Sequence, residues 1–329
     1  LHSEIPTNFS AGYTCVESSS GPDTTASASA GGSPAWTGEG DLISAWFGAA
    51  VSFAGDLDNN GFDDIVIGVP RFTNGEDQEG RVVVYPGTGT LMPGPPRVLE
   101  VNAEFARFGA SVAGAGDVDN DTFDDIIAGA PKYDIGLGAT GIAIVYRGSA
   151  AGVVTAPFWS VEGDQPDAEF GGVVASAGDV NNDGYDDVIV AAPQYNNGQP
   201  GEGRVFLYPG SPTGPALSAS WSASGGQGGA RFGASLASAG DMNLDGYGDV
   251  LIGAPGYDNG EVNEGRVYLY HGSASGLTSL PVWSFESDQA SAELGSSVAG
   301  AVATSTATPG PISWWAPVSS TTGRPMKDA

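Results

Sequence analysis

The chain has 329 residues, among them 52 Gly and 22 Pro, and a formal charge of −28 from 39 acidic against only 11 Lys and Arg residues. That balance excludes a nucleic-acid or anionic-membrane interface, each of which needs a basic face, and no run of 18 apolar residues marks a membrane span. Cys15 is alone, so there is neither an intrachain disulfide nor a Cys zinc site, and His2 and His271 read as ordinary surface residues.

Residues 1–30, rich in Ser, Thr, Ala and Gly, match nothing that follows and read as a low-complexity linker or disordered segment. The chain opens at Leu1 without an initiator Met or a recognisable signal peptide, which reads as a fragment or processed product. From Gly31 the pattern is that of a repeat, expected over residues 31–301 with units starting near 47, 108, 170, 232 and 294. The segment GGSPAWTGEGDLISAWFG aligns with AGVVTAPFWSVEGDQPDAEFG further on, so the last strand of a preceding unit is expected there.

Within each unit the landmarks keep one order. Phe-Gly comes first, at Phe47-Gly48, Phe108-Gly109, Phe170-Gly171 and Phe232-Gly233, with Leu294-Gly295 as a conservative fifth. Eight residues later an acidic string begins: GDLDNNGFDD at Gly55, GDVDNDTFDD at Gly116, GDVNNDGYDD at Gly178 and GDMNLDGYGD at Gly240, spaced 61 or 62 residues apart. A β-branched run then ends in Gly68-Val69-Pro70, Gly129-Ala130-Pro131, Ala191-Ala192-Pro193 or Gly253-Ala254-Pro255. Glu-Gly-Arg-Val opens a further strand at Glu79, Glu202 and Glu264, degraded to Thr140-Gly141-Ile142 in the second unit. Finally a Trp stands eleven residues before the next Phe-Gly or Leu-Gly, at Trp36, Trp159, Trp221 and Trp283, with Arg97 in the remaining case.

Segments such as DDIVIGVP and GRVVVYPG are short, rich in Val, Ile and Tyr, and bounded by Gly, Pro and Asn, which predicts strands; no long stretch keeps an apolar helical period. Four short strands per unit predict an all-β fold, a β-propeller of four recognisable blades plus partial ends. A blade cannot bury both its faces alone, so the Phe of Phe-Gly and the recurrent Trp are the expected wedges between neighbours.

The acidic strings have the chemistry of calcium loops. Ca²⁺ takes about six to eight oxygen ligands at roughly 2.3–2.6 Å, which requires closely spaced oxygens on a sharply turning chain. Positions 1, 3, 5 and 9 supply side-chain oxygens, position 7 a carbonyl, and Gly at position 6 permits the turn. The first loop offers Asp56, Asp58, Asn60, the Phe62 carbonyl and Asp64, and the second Asp117, Asp119, Asp121, the Phe123 carbonyl and Asp125, with Thr122 in place of the Gly. The third offers Asp179, Asn181, Asp183, the Tyr185 carbonyl and Asp187, and the fourth Asp241, Asn243, Asp245, the Tyr247 carbonyl and Asp249. One Ca²⁺ in each of the four would bring the charge to about −20. Acidic Asx-Gly runs also make plain solvated turns; four copies in one register favour the metal. EF-hand and dockerin modules share such a loop but need a helix beside it, and here a strand follows at once.

Phe-Gly, the cation loop and Gly-Ala-Pro in fixed order resemble the FG-GAP repeats of integrin α-subunit heads and related bacterial surface proteins. The resemblance implies a β-propeller, usually seven-bladed, with calcium between a blade's first and second strands. It also implies that ligands or a partner subunit meet loops largely on the opposite face. Four units cannot close seven blades, and there is no von Willebrand-type insertion, so integrin ligand specificity is not implied.

A fifth acidic loop is due near residue 303, but 302–329 read AVATSTATPGPISWWAPVSSTTGRPMKDA from Ala301 on; other-frame codons there permit the missing landmarks, so this tail is expected to be frameshifted. Nothing suggests an enzyme: there is no Gly-x-Ser-x-Gly, Walker loop or Cys-His pair, and carboxylate pairs such as Asp63-Asp64 recur where catalysis needs one asymmetric site. The expectation is a calcium-stabilised extracellular binding or adhesion module, secreted or at the cell surface, with a protein or glycan ligand on its loop face. The alternative is a carbohydrate-binding propeller accompanying a hydrolase or phospholipase-type domain, with Tyr133, Tyr195 and Tyr257 stacking on sugar rings.

Overall fold

The computed structural model describes residues 26–28, 36–38, 40, 42, 44–89, 93–134, 136 and 138–300. The tail from 302 with Trp314 and Trp315, and also His2 and Cys15, lie outside the described residues. Among the described residues there are eighteen strands and no helix. Strands β1 (Ala26–Ala28) and β2 (Trp36–Gly38) pair with each other, so three residues of the stretch read as linker stand in a ladder.

Four antiparallel four-stranded sheets follow, each in simple up-and-down order. The first holds β3 (Ala50–Gly55), β4 (Asp64–Val69), β5 (Arg81–Tyr85) and β6 (Arg97–Glu100), and the second β7 (Ser111–Gly116), β8 (Asp125–Ala130), β9 (Ile142–Tyr146) and β10 (Trp159–Glu162). The third holds β11 (Val173–Gly178), β12 (Asp187–Ala192), β13 (Arg204–Tyr208) and β14 (Trp221–Ser224). The fourth holds β15 (Ser235–Gly240), β16 (Asp249–Ala254), β17 (Arg266–Tyr270) and β18 (Trp283–Glu286). The first strands β3, β7, β11 and β15 pack side by side, so the sheets are successive blades of a partial propeller, as the repeat spacing predicts.

The core lies between sheets because alternate residues of a strand face opposite neighbours. From β8, Ile126, Ala128 and Ala130 pack with Val66, Val82 and Leu99 of the first sheet. Ile127 turns the other way and joins Val188 and Val190 of the third sheet. Strands β8, β12 and β16 are therefore buried along their whole length, which explains why they read as continuous apolar runs.

The recurring dipeptides are the couplings between blades. Gly109 N–H donates to the Gly129 carbonyl of its own sheet at 3.0 Å, and Gly171 does the same to Ala191. The Gly109 carbonyl meanwhile abuts Gly68 of the preceding sheet so closely that a Cβ there would lie 1.9 Å from it. Phe-Gly and Gly-Ala-Pro thus fit each other twice, within a blade and across the junction. Phe108, Phe170 and Phe232 are buried, and the backbone N–H of Phe108 and Phe232 donates to the carbonyls of Glu79 and Glu202 in the preceding blade. The Trp residues seat on the next blade: Trp159 meets Tyr208 edge-on at 5.1 Å, and Trp221 meets Tyr270 at 5.0 Å. Their indole N–H groups donate to the Ala216 and Thr278 carbonyls, which satisfies a polar group that would otherwise be buried alone. Trp283, on the last described blade, is 41% exposed and stacks on Phe285.

Candidate metal centres

All four acidic strings lie between the first and second strands of their sheets, at one end of the partial propeller. Each starts at a β-bulge, where the register slips just before Gly55, Gly116, Gly178 or Gly240. These glycines have φ between +69° and +78°, and the bulge turns the following residues out of the sheet and into a loop.

Within the loop the chain wraps around its own carboxylates. Asp56 accepts N–H bonds from Asn60 and Gly61 at 2.9 and 2.7 Å, and Asp117, Asp179 and Asp241 repeat the pattern at positions 5 and 6 of their loops. The position 5 side chains Asn60, Asp121, Asp183 and Asp245 accept the N–H of Phe62, Phe123, Tyr185 and Tyr247. Position 9 closes the loop. Asp125 accepts N–H bonds from Val118 and from Gly148 of the strand 3 to strand 4 connection, and Asp64, Asp187 and Asp249 do likewise.

The turn demands the left-handed region at position 6, where Gly61, Gly184 and Gly246 have φ near +90°. Thr122 stands there at +79°, accepting strain of about 1–2 kcal/mol that Gly would avoid. Position 4 is left-handed too, in Asn59, Asn120, Asn182 and Leu244. Asn tolerates that conformation, and its recurrence was the available but unread signal.

Position 3 is the exception to this saturation. Asp58 Oδ1, Asp119 Oδ1 and Asn181 Oδ1 are buried and have no hydrogen-bond partner. Buried oxygens left unpaired cost roughly 1–3 kcal/mol each, and here the same atom is left over in three consecutive loops. A cation bound among positions 1, 3, 5 and 9 would take it, while the hydrogen-bonded carboxylates retain lone pairs for ligation. In the fourth loop Asn243 instead turns its side chain to Asp245. The donor set is all oxygen, which suits a hard cation such as Ca²⁺. In the second loop, oxygens of Asp117, Asp119 and Asp125 all lie within 4.8 Å of one another.

Burial raises three of the acids that close the loops. Desolvation, reinforced by neighbouring carboxylates and opposed by the backbone N–H bonds, pushes Asp64 up to about 6, Asp125 to about 8 and Asp187 to about 7. These side chains cost energy as anions unless a positive charge joins them.

Two further features escaped the sequence reading. The carboxylate at position 8 reaches back into the preceding loop: Asp124 Oδ2 accepts Asp56 N–H at 2.8 Å, and Asp186 Oδ2 accepts Asp117 N–H at 3.0 Å. Basic side chains also touch loop ligands, Arg147 on Asp119 at 2.9 Å and His271 Nδ1 on Asp249 at 3.0 Å. His271, read as an ordinary surface residue, is thus partly buried against a candidate ligand. The suggested sugar platforms face inward: Tyr195 packs on Phe206, and Tyr133 and Tyr257 pack against the inter-sheet cores.

The FG-GAP repeat family matches residues 47–85, 108–146, 170–208 and 232–270, which are the four sheets from Phe-Gly to the end of the third strand. The chain is 37% identical over 223 residues to integrin alpha pat-2 of Caenorhabditis elegans, covering 61% of the chain and 17% of that relative. It is 30% identical over 243 residues to integrin alpha-5 of Xenopus laevis, covering 70% of the chain and 22% of that relative. To integrin alpha-PS2 of Drosophila melanogaster it is 34% identical over 183 residues, 53% of the chain and 12% of the relative. The chain therefore spans a small part of the length of the relatives it matches. The chain thus carries four FG-GAP repeats, one in each of the described four-stranded sheets.

Proposed function

We propose that the chain is a calcium-stabilised, extracellular ligand-binding or adhesion module without catalytic activity. One Ca²⁺ in each acidic loop would stiffen the loop ends of the blades, and a protein or glycan ligand would be met by loops of the opposite face. A partner subunit of the kind integrin α chains take is part of the same reading. The observation that carries it is the unpaired buried oxygen at position 3 of successive loops, Asp58, Asp119 and Asn181, inside a ring of acids. When bound, the cation would supply the charge that these desolvated carboxylates lack. Asp56, Asp117, Asp179 and Asp241 would hold it from position 1, and Asp64, Asp125, Asp187 and Asp249 from position 9.

The reading as a secreted or surface protein rests on likeness to integrin α chains and on the acidic composition. Protein ligands are favoured over sugars because the tyrosines of the strand 2 to strand 3 loops are engaged in packing. Equilibrium dialysis with calcium, followed by binding to purified matrix proteins and to a glycan array with and without chelator, tests both halves. Calcium-dependent retention of a protein ligand supports the proposal. Binding that ignores chelation contradicts the proposal, and binding on glycans alone contradicts the preference for a protein ligand.

A further inference from the structure

The second loop carries one carboxylate more than its siblings. Asp117, Asp119, Asp121 and Asp125 occupy positions 1, 3, 5 and 9 there, whereas each other loop has three acids and one Asn at these positions. It is also the loop whose carboxylate oxygens crowd within 4.8 Å. Such crowding of like charges needs an explanation, because carboxylates this close repel strongly at a partly buried site.

The explanation is Arg147. It follows β9 at the position that holds Pro86 and Pro209 in the first and third blades, directly before Gly148, whose N–H is taken by Asp125. Its Nη1 donates to Asp119 Oδ2 at 2.9 Å, and its guanidinium lies 4.3 Å from the centre of the Phe158 ring. The Asp119 side chain is 3% exposed and that of Arg147 is 42% exposed, so the bridge has a buried carboxylate end and a guanidinium open to solvent. Arg147 does not fill the centre of the loop either. It contacts one oxygen, and Asp119 Oδ1 stays unpaired in the same way as Asp58 Oδ1 and Asn181 Oδ1.

We propose that Arg147 is the charge partner of the second metal centre: it offsets the fourth carboxylate by pairing with Asp119 Oδ2 and leaves Oδ1 to the cation. With Arg147 counted against positions 1, 3, 5 and 9, the second loop has the same charge there as the other three, so extra acid and extra base form a compensated pair. This rests on the metal reading above.

Calcium titration calorimetry and metal-free melting of the full chain test it, comparing wild type with Arg147→Gln and with Arg147→Pro, the residue found in two sibling blades. Removing the positive charge is expected to tighten one calcium site about tenfold at low ionic strength, with unchanged stoichiometry, and to lower the metal-free melting temperature. Asp121→Asn added to Arg147→Gln should restore both, since it returns the loop to three carboxylates. Unchanged affinities and unchanged metal-free melting would reduce Arg147 to a surface ion pair. A gain of one bound calcium in Arg147→Gln would mean that the guanidinium occupies the ion's own place, and would also overturn the proposal. If wild type binds no calcium at all, the metal reading fails and this inference with it; calcium binding with no response to Arg147 overturns the inference alone.

Discussion

The junction between the second and third blades and that between the third and fourth are built on one plan, yet they differ at position 8 of the later loop. In the former, Asp186 sends its carboxylate across to Asp117 N–H, and its own N–H donates to the Asp117 carbonyl at 3.1 Å. In the latter, Gly248 stands at the equivalent position and only the backbone bond to the Asp179 carbonyl remains, at 2.9 Å. The neighbouring glycines record the difference. A Cβ on Gly116 would lie 2.0 Å from Asp186 Oδ2, whereas on Gly178 it would meet only Ser238 Oγ at 3.5 Å. The Gly that opens each acidic string therefore has two duties, the bulge conformation and room for the next blade's carboxylate, and only the first persists at Gly178. The lesson is that the acidic loops are chained from blade to blade, tightly from the first to the third and loosely from the third to the fourth.

Calcium removal should strain every junction and so has the largest expected effect. Each site adds about 2.7 kcal/mol when calcium exceeds its Kd a hundredfold, and several sites together should shift the melting temperature by at least about 10 °C. Scanning calorimetry before and after exhaustive chelation measures this, and an unmoved transition would count against bound metal.

Without metal, the pH dependence should be the reverse of ordinary acid denaturation. Asp64, Asp125 and Asp187 are raised by burial to about 6, 8 and 7, above the value near 4 of an unfolded carboxyl. A raised acid binds more protons folded than unfolded, so its stabilising contribution is complete below about pH 4 and is lost as pH rises through about 6 to 8. Melting of the dialysed, metal-free protein should occur several degrees higher at pH 5 than at pH 8.5, with calcium erasing the difference. Equal melting at both values would show that these acids are not desolvated.

Asp186→Ala should cost about 1–3 kcal/mol by stranding Asp117 N–H and should weaken calcium at the second loop, read by denaturant unfolding and titration. Gly116→Ala and Gly178→Ala both carry the left-handed penalty of roughly 1 kcal/mol; Gly116→Ala should cost at least about 1 kcal/mol more, because it also expels the Asp186 carboxylate. Equal losses would mean that the carboxylate clasp contributes nothing. The smallest expected change is a gain of about 0.5–1 kcal/mol from Gly248→Asp in calcium-loaded protein, which would give the loose junction the clasp its neighbours have.

Much of this could be read in the chain because each landmark is a backbone requirement that admits few residues. Phe-Gly and Gly-Ala-Pro marked the strands since Gly109 and Gly68 approach too closely for any side chain, as do Gly171 and Gly129 and also Gly295 and Gly253, while opposite Gly233 the small Ala191 takes the place. The Trp positions were legible for a similar reason: Trp159 and Trp221 each reach a Tyr and a carbonyl of the next blade. What stayed hidden were partnerships between units. Nothing local distinguishes Asp124, which clasps its neighbour, from Asp125, which closes its own loop, because the two adjacent carboxylates point to opposite sides. Arg147 was hidden likewise, since its reach to Asp119 depends on how the loop after the third strand folds over the metal loop.

The central claim is that cations sit among the oxygens of these loops. A crystal structure of the protein grown with calcium tests it most directly. The account predicts a peak of density bonded to Asp58 Oδ1, Asp119 Oδ1 and Asn181 Oδ1 at about 2.3–2.6 Å. Loops filled with water alone at saturating calcium, their position 3 oxygens hydrogen-bonded to solvent, would contradict it.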